Sequence, residues 1–372
     1  MRKMPYERRI NEFRRRLSRA GIDTAWIVQP ENRRYLSGFM APDAQLTESS
    51  GSLLISKDKA FLVTDSRFTT MAENEAEGFD IHTFTTGLVE DLAELLEGLG
   101  TRALGFEENH VTWGLHRELE GRFKECSLRI ELVALNGIVE DMRKIKDDQE
   151  LRDLKASADL MVGVLEGVVK EMLPGMTERE VAWRIEGLAH ERGADEMAFP
   201  SIVASGPNGA LPHAVPTDRK LRTGEPIVID VGAKLHGYCS DMTRTVFLGD
   251  PADEFKIIYD TVRRAQLAAL TEIEPGKPST DPDQKARDLI KDAGYGDYFV
   301  HGLGHGVGLA THEPPRLGPR NPVELEKGMV VTVEPGIYIP GKGGVRLEQM
   351  VVIEEKGPRI LTGDSLFYAF ST

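Results

Sequence analysis

A chain of 372 residues favours two domains, and a content of 40% hydrophobic and 28% charged residues is that of an ordinary globular protein. The net charge of -14 excludes nucleic acid as a general partner, because phosphate binding needs a basic surface. No run approaches 18 apolar residues, so no membrane span or membrane partner is expected, and two cysteines, Cys126 and Cys239, supply neither a disulfide framework nor a Cys-based zinc site.

The opening stretch Met1 to Arg16 is basic and polar and lacks the apolar core of a secretory signal, which suits a reducing cytoplasm. Residues 6–20 are predicted helical, with Arg14-Arg15-Arg16 on a solvated face. Thr24 to Val28 is a predicted strand. Ser52 to Ile55 and Ala60 to Thr64 form two more, joined by the polar turn Ser56-Lys57-Asp58-Lys59. A helix over Leu88 to Leu99 and a strand over Ala103 to Phe106 complete a small α/β domain, residues 1–137. The second domain, 138–372, begins with a charged stretch in which Asp147 and Glu150 have capping-box spacing. Beyond it Leu151, Leu154, Ala158, Met161, Leu165, Val168 and Met172 mark one face of a long amphipathic helix.

This second domain contains an internal repeat. Leu221-x-x-Gly224-x-x-Ile227-x-x-Asp230-x-Gly232 matches Leu325-x-x-Gly328-x-x-Val331-x-x-Glu334-x-Gly336, and Pro174-Gly175 matches Pro275-Gly276 upstream. Each copy reads helix, Pro-Gly turn, helix, then a strand ending in a carboxylate. Two such halves packed about a pseudo-twofold axis would bring the carboxylates together.

Asp230 lies inside the apolar strand Ile227 to Val231, where an unpaired carboxylate is costly. A hairpin turning near Leu235-His236 would set it opposite Asp241, with Thr243 and Thr245 on the same face to hydrogen-bond neighbouring acids. Two ionised acids so close repel unless a cation intervenes. Glu334 ends the strand Val330 to Val333, and Glu348 is placed in the strand Gly344 to Glu348 beside Arg346. His305 lies in His301-Gly302-Leu303-Gly304-His305-Gly306-Val307-Gly308, whose four glycines allow close backbone approach. Imidazole with carboxylates suits zinc, manganese, cobalt or iron, and four carboxylates match two divalent ions, which together polarise a carbonyl and activate water. Taken singly, a strand Asp caps turns or pairs with Arg, a His packs, and Cys239 is a small buried side chain. Taken jointly, Asp, Asp, His, Glu, Glu on strand ends have no simple structural reading.

These residues resemble the metal ligands of the pita-bread metallopeptidases, which include methionine aminopeptidase. The wider motifs are similar to the proline-directed branch, aminopeptidase P and prolidase: Leu211-Pro212-His213, Tyr238 to Thr245, His301 to Gly306, Thr311-His312-Glu313-Pro314-Pro315 and Gly344 to Glu348. The likeness is strong over about residues 140–372 and looser through Asn32 to Phe39 and Thr64 to Phe68. Gln349 departs from it, since this branch commonly has Asp there.

The resemblance implies an α+β pita-bread catalytic domain after a smaller α/β domain that limits access and supports a homodimer. It implies that Asp230 binds one metal, that Asp241 and Glu348 bridge two, and that His305 and Glu334 complete the second. Glu334 would also shuttle protons, His213 and His312 would contact the substrate, and His301 and Arg346 would support them. The activity expected is an Xaa-Pro aminopeptidase acting on proline-containing peptides, a preference resting on Thr64 to Phe68, with Xaa-Pro dipeptidase as the alternative. A metal-free creatinase-like hydrolase and a non-catalytic binding module are the remaining readings, and the intact ligand set argues against both.

Overall fold

The computed structural model describes residues 6–370, so Met1 to Pro5 of the basic opening stretch lie outside it. The chain divides between Arg143 and Lys144 into two compact units, and helix Ile138–Arg143 therefore belongs to the first.

In the first unit six strands form one sheet, in the order Asp80–Thr83, Ala60–Thr64, Ser52–Ser56, Thr24–Ile27, Ala103–Phe106, Glu131–Ala134. The polar turn before Ala60 makes an antiparallel hairpin, while the outer pairs are parallel and need helical crossovers. Helix Tyr6–Arg19 buries Ile10, Phe13 and Leu17, one stripe at helical spacing. Trp26, Leu54 and Leu104 meet Leu92, Leu96 and Phe123 from the covering helices Leu88–Gly98 and Trp113–Glu125.

In the second unit helix Asp148–Glu171 starts at a capping box in which Asp147 and Glu150 exchange bonds with each other's backbone. Helices Asp148–Glu171 and Glu178–Glu191 cover the strands Ile202–Ser205, Pro226–Val231 and Met242–Phe247 through one apolar core. Helices Asp253–Leu270 and Thr280–Asp292 share another core with Val330–Val333 and Gln349–Glu354 of a five-stranded sheet. The repeat is visible in the hydrogen bonds. Gly175 N donates to Leu221 O at 2.9 Å and Gly276 N to Leu325 O at 2.8 Å, while Leu221 N and Leu325 N donate back to Met176 O and Lys277 O.

The hairpin carrying Asp230 turns one residue later than expected. His236 and Gly237 have φ of 50° and 74°, the left-handed pair that a tight two-residue turn requires, and glycine supplies the second at little cost. Asp230 therefore faces Thr243 instead of Asp241. A two-residue slip leaves every side chain on its face, so Asp241, Thr243 and Asp230 still share one surface. Glu348 also differs: it follows the strand Gly343–Arg346 and precedes Gln349–Glu354, at the passage from one sheet to another.

Candidate metal centre

Strand ends from both halves of the second unit converge on five polar side chains. One carboxylate oxygen each from Asp230, Asp241 and Glu348 lie within 4.8 Å of one another. His305 Nε2 is 3.6 Å from Asp241 Oδ2 and 3.3 Å from Glu334 Oε1, which joins the remaining two residues to that group. His305 Nδ1 lies 3.0 Å from Gly306 O; a carbonyl only accepts, so Nδ1 carries a hydrogen and Nε2 faces the acids.

Glycine is required where His305 sits. A Cβ on Gly304 would fall 2.1 Å from Thr332 O, and one on Gly306 would fall 2.4 Å from Pro314 O. The glycine-rich run thus seats one strand flush between two neighbours. Thr332 Oγ1 ties the arrangement together, accepting His305 N and donating to Glu334 Oε1, each at 3.1 Å.

The electrostatics of the cluster are unfavourable to bare carboxylates. Burial raises Asp241 well above its ordinary range, and the charges of Glu348 and Asp230 add to this. Burial and then Glu334 and Asp230 raise Glu348 likewise. Burial also raises Asp230, against the opposing pull of Arg346. Glu334 moves the other way: burial works against its charge, but the hydrogen bond and charge of His305 outweigh it. Asp230 Oδ1 and Glu348 Oε1 are buried with no hydrogen-bond partner. Unpartnered buried acceptors among like charges are the environment that divalent cations relieve, and the oxygen-plus-imidazole donor set fits such ions.

Arg346 backs the acids. Its Nη2 donates to Asp230 Oδ2 at 2.7 Å and its Nε to Thr243 Oγ1 at 3.0 Å, and Thr243 in turn donates to Glu348 Oε2 at 2.8 Å. Thr245, expected on a carboxylate, donates instead to Arg346 O. Arg346 Nη1 donates to Pro212 O and to Tyr338 Oη, and Tyr338 meets His301 Nε2 at 2.9 Å. Burial lowers His301, whose Nδ1 contacts Gly302 O, so the neutral ring accepts from Tyr338 at Nε2. Tyr338 carried no signal beyond being an apolar-strand tyrosine; only the pairing of strand Gly336–Ile339 with Gly343–Arg346 brings it here.

His213 and His312 are exposed, unlike the acids. The His312 ring stands edge-on to His305, 4.2 Å between centroids, and burial followed by the His305 charge lowers its basicity. His213 lies on the segment after Gly206–Ala210, within electrostatic reach of both His301 and His312. Cys239 is buried.

Behind the cluster Arg244 is fully buried and donates to five backbone carbonyls, those of Thr243, Glu348, Thr362, Gly363 and Ser365. Gln349 Nε2 donates to Gly363 O and Asp364 Oδ1, so the departure at 349 fastens the C-terminal segment to the turn that carries Glu348.

The sequence profile of metallopeptidase family M24 matches residues 152–355. The chain belongs to that family. The creatinase/prolidase N-terminal domain matches residues 9–145 of this M24 peptidase. An Xaa-Pro dipeptidase of Pyrococcus furiosus is 36% identical over 341 residues, covering 92% of this chain and 93% of its own. The structure of an Xaa-Pro dipeptidase from Bacillus anthracis is 37% identical with a TM-score of 0.89, covering 96% of this chain and 98% of its own. An X-Pro aminopeptidase from Thermotoga maritima is 36% identical with a TM-score of 0.84, covering 94% and 97%. The M24 peptidase thus has the α+β pita-bread fold, and its family is one of metal-dependent hydrolases. No helix among its described residues is long and apolar enough to cross a membrane.

Proposed function

We propose that this M24 peptidase is a dinuclear Xaa-Pro dipeptidase. The observation that carries the metal part is the convergence of Asp230, Asp241 and Glu348, with two unpartnered buried oxygens, on His305 and Glu334. Asp230, Asp241, His305, Glu334 and Glu348 would hold two divalent ions, drawn from manganese, cobalt, zinc and iron. Such ions, when bound, polarise the scissile carbonyl and make water nucleophilic at neutral pH. Glu334, beside His305 in the cluster, would carry a proton between water and the leaving nitrogen. The exposed His213 and His312 contact the substrate around the scissile bond; Arg346 supports the His213 segment at the Pro212 carbonyl, and His301 joins Arg346 through Tyr338.

The dipeptidase reading is preferred to the aminopeptidase that the Thr64 to Phe68 segment suggested. Arg67 there pairs with Asp65 through both oxygens and is exposed, so the segment closes on itself and says little about a continuing peptide. Relatives named Xaa-Pro dipeptidase at 36% and 37% identity over nearly the whole chain support the change. The first unit, taken as residues 1–137 from sequence, is assigned to substrate access and homodimer formation, and the protein to the cytoplasm. A proline at the second position presents an amide without N–H and a fixed ring, which a shaped pocket can select. Initial rates on Xaa-Pro, Xaa-Pro-Xaa and Xaa-Ala peptides test the proposal. Dipeptide cleavage is expected to dominate; faster cleavage of the tripeptide restores the aminopeptidase, and equal cleavage of Xaa-Ala removes proline.

A further inference from the structure

Equivalent helices in the two halves each bury a carboxylate behind a segment that carries a histidine. On helix Thr280–Asp292, Asp283 accepts Leu303 N at 2.9 Å and pairs with Arg287, which donates to His301 O at 2.7 Å. On helix Glu178–Glu191, Glu178 is fully buried and works directly. Its Oε1 accepts Ser205 N and Ser205 Oγ, at 2.7 and 2.8 Å. Its Oε2 accepts Asn208 Nδ2 at 2.8 Å, Thr217 N at 3.0 Å and Thr217 Oγ1 at 2.7 Å. All five donors come from residues 205–217, the segment that contains Pro212 and His213.

The fold does not demand an acid at this position. Glu178 N donates to Arg219 O as Ser279 N donates to Val323 O, which makes Ser279 the counterpart of Glu178 in the other half. Ser279 needs only its hydroxyl there, to accept Val323 N. Burying a carboxyl group is costly unless its oxygens are hydrogen-bonded, and Glu178 meets that condition only by gathering both ends of one loop. The middle of that loop then has little freedom. Pro212 O receives Arg346 Nη1, and a Cβ on Gly344 would lie 2.1 Å from Gly209 O, so the loop lies flush on the strand carrying Arg346.

We propose that Glu178 is a positioning residue for the reaction, fixing the 205–217 segment so that His213 is held on the substrate side of the metal centre. This rests on the peptidase reading above. Glu178→Gln keeps the volume but turns an amide NH2 toward one set of donors, so at least one side of the clamp opens. With metal content unchanged, kcat on Xaa-Pro should fall about 10- to 100-fold, the scale of a displaced catalytic group. Added to His213→Ala, Glu178→Gln should cost less than about 2-fold more, since both act through one side chain. Independent, multiplying losses would overturn the proposal. Amide hydrogen exchange needs no substrate and separates this idea from the peptidase reading. Exchange across 205–217 should quicken in Glu178→Gln and stay at the wild-type rate in His213→Ala. Unchanged protection of that segment in Glu178→Gln would also overturn it. Should Glu178→Gln not fold, Thr217→Val removes one of the five bonds and should shift rate and exchange in the same directions, and no shift in either sinks the proposal.

Discussion

Thr243 Oγ1 donates to Glu348 Oε2 at 2.8 Å, and the two residues hold matching places in the two halves of the catalytic unit. Thr243 stands opposite Asp230 in its hairpin. The register Val333 opposite Gln349, carried one step further, sets Glu348 opposite Glu334. One half therefore faces its acid with a hydroxyl and the other with a second acid. The hydroxyl bridges the halves, because it also accepts Arg346 Nε.

Replacing Thr243 with Val should consequently do more than delete one bond. It leaves Glu348 Oε2 and Arg346 Nε buried and short of a partner, a loss on the order of 1 to 3 kcal/mol. Partners behind metal ligands also tune affinity, so divalent-ion binding should weaken about 10- to 100-fold. Urea unfolding and calorimetric manganese titration measure the two effects. Wild-type affinity in Thr243→Val would show that this bond does not orient Glu348.

Removal of metal should abolish peptidase activity, and manganese, cobalt, zinc or iron should restore it to differing extents. The raised carboxyls of Asp241 and Glu348 store repulsion that cations relieve, so metal should also stabilise the fold. At about 100 times the dissociation constant the gain is about 2.7 kcal/mol. The double variant Asp241→Asn, Glu348→Gln should bind neither ion and lose this increment in thermal melts. Full metal content in that variant would remove both residues from the ligand set.

Much of this architecture was legible because its signals are local. Apolar alternation marked the strands, Asp147 and Glu150 marked the long helix, and the spacing of Asp230 and Glu334 marked the repeat. What escaped depends on contacts distant in sequence. The register of the Asp230 hairpin hung on which residue pair, Leu235-His236 or His236-Gly237, takes left-handed φ. Glu348 was assigned to a strand because its neighbours are apolar, although the chain there passes between sheets. Tyr338 and Glu178 look like any strand tyrosine and any first-turn helix acid until pairing shows what they touch. The choice between aminopeptidase and dipeptidase rested on a segment whose charges satisfy each other.

His213→Ala and His312→Ala should each retain both metals and lose rate if, as proposed, these exposed rings act on the substrate and not on the ions. Loss of a positioned acid, base or oxyanion partner costs about 100- to 10,000-fold in turnover. Metal analysis of each variant alongside steady-state rates distinguishes this from damage to the cluster. Near-normal turnover in both variants would return the histidines to packing roles.

The first unit should show its own pH dependence through Glu107. This side chain is buried and accepts Val28 N, Gln29 N and Asn32 Nδ2 at 2.6 to 2.7 Å. Burial nevertheless dominates, helped by the charge of Glu140, and pushes its pKa from 4.5 up to about 7. Below the unfolded value both states are protonated and stability is at its fullest. Between that value and about 7 the folded state holds the extra proton, so stability declines as pH rises and levels off beyond. A displacement of this size corresponds to on the order of 3 kcal/mol. Urea unfolding followed by tryptophan fluorescence in a Trp113→Phe, Trp183→Phe background, which leaves Trp26 buried in this unit as the reporter, should give a lower midpoint at pH 8 than at pH 5. Glu107→Gln cannot ionise and should flatten most of that slope, despite losing an acceptor for Asn32 or for the backbone. An identical slope in the wild type and Glu107→Gln would place the titration elsewhere.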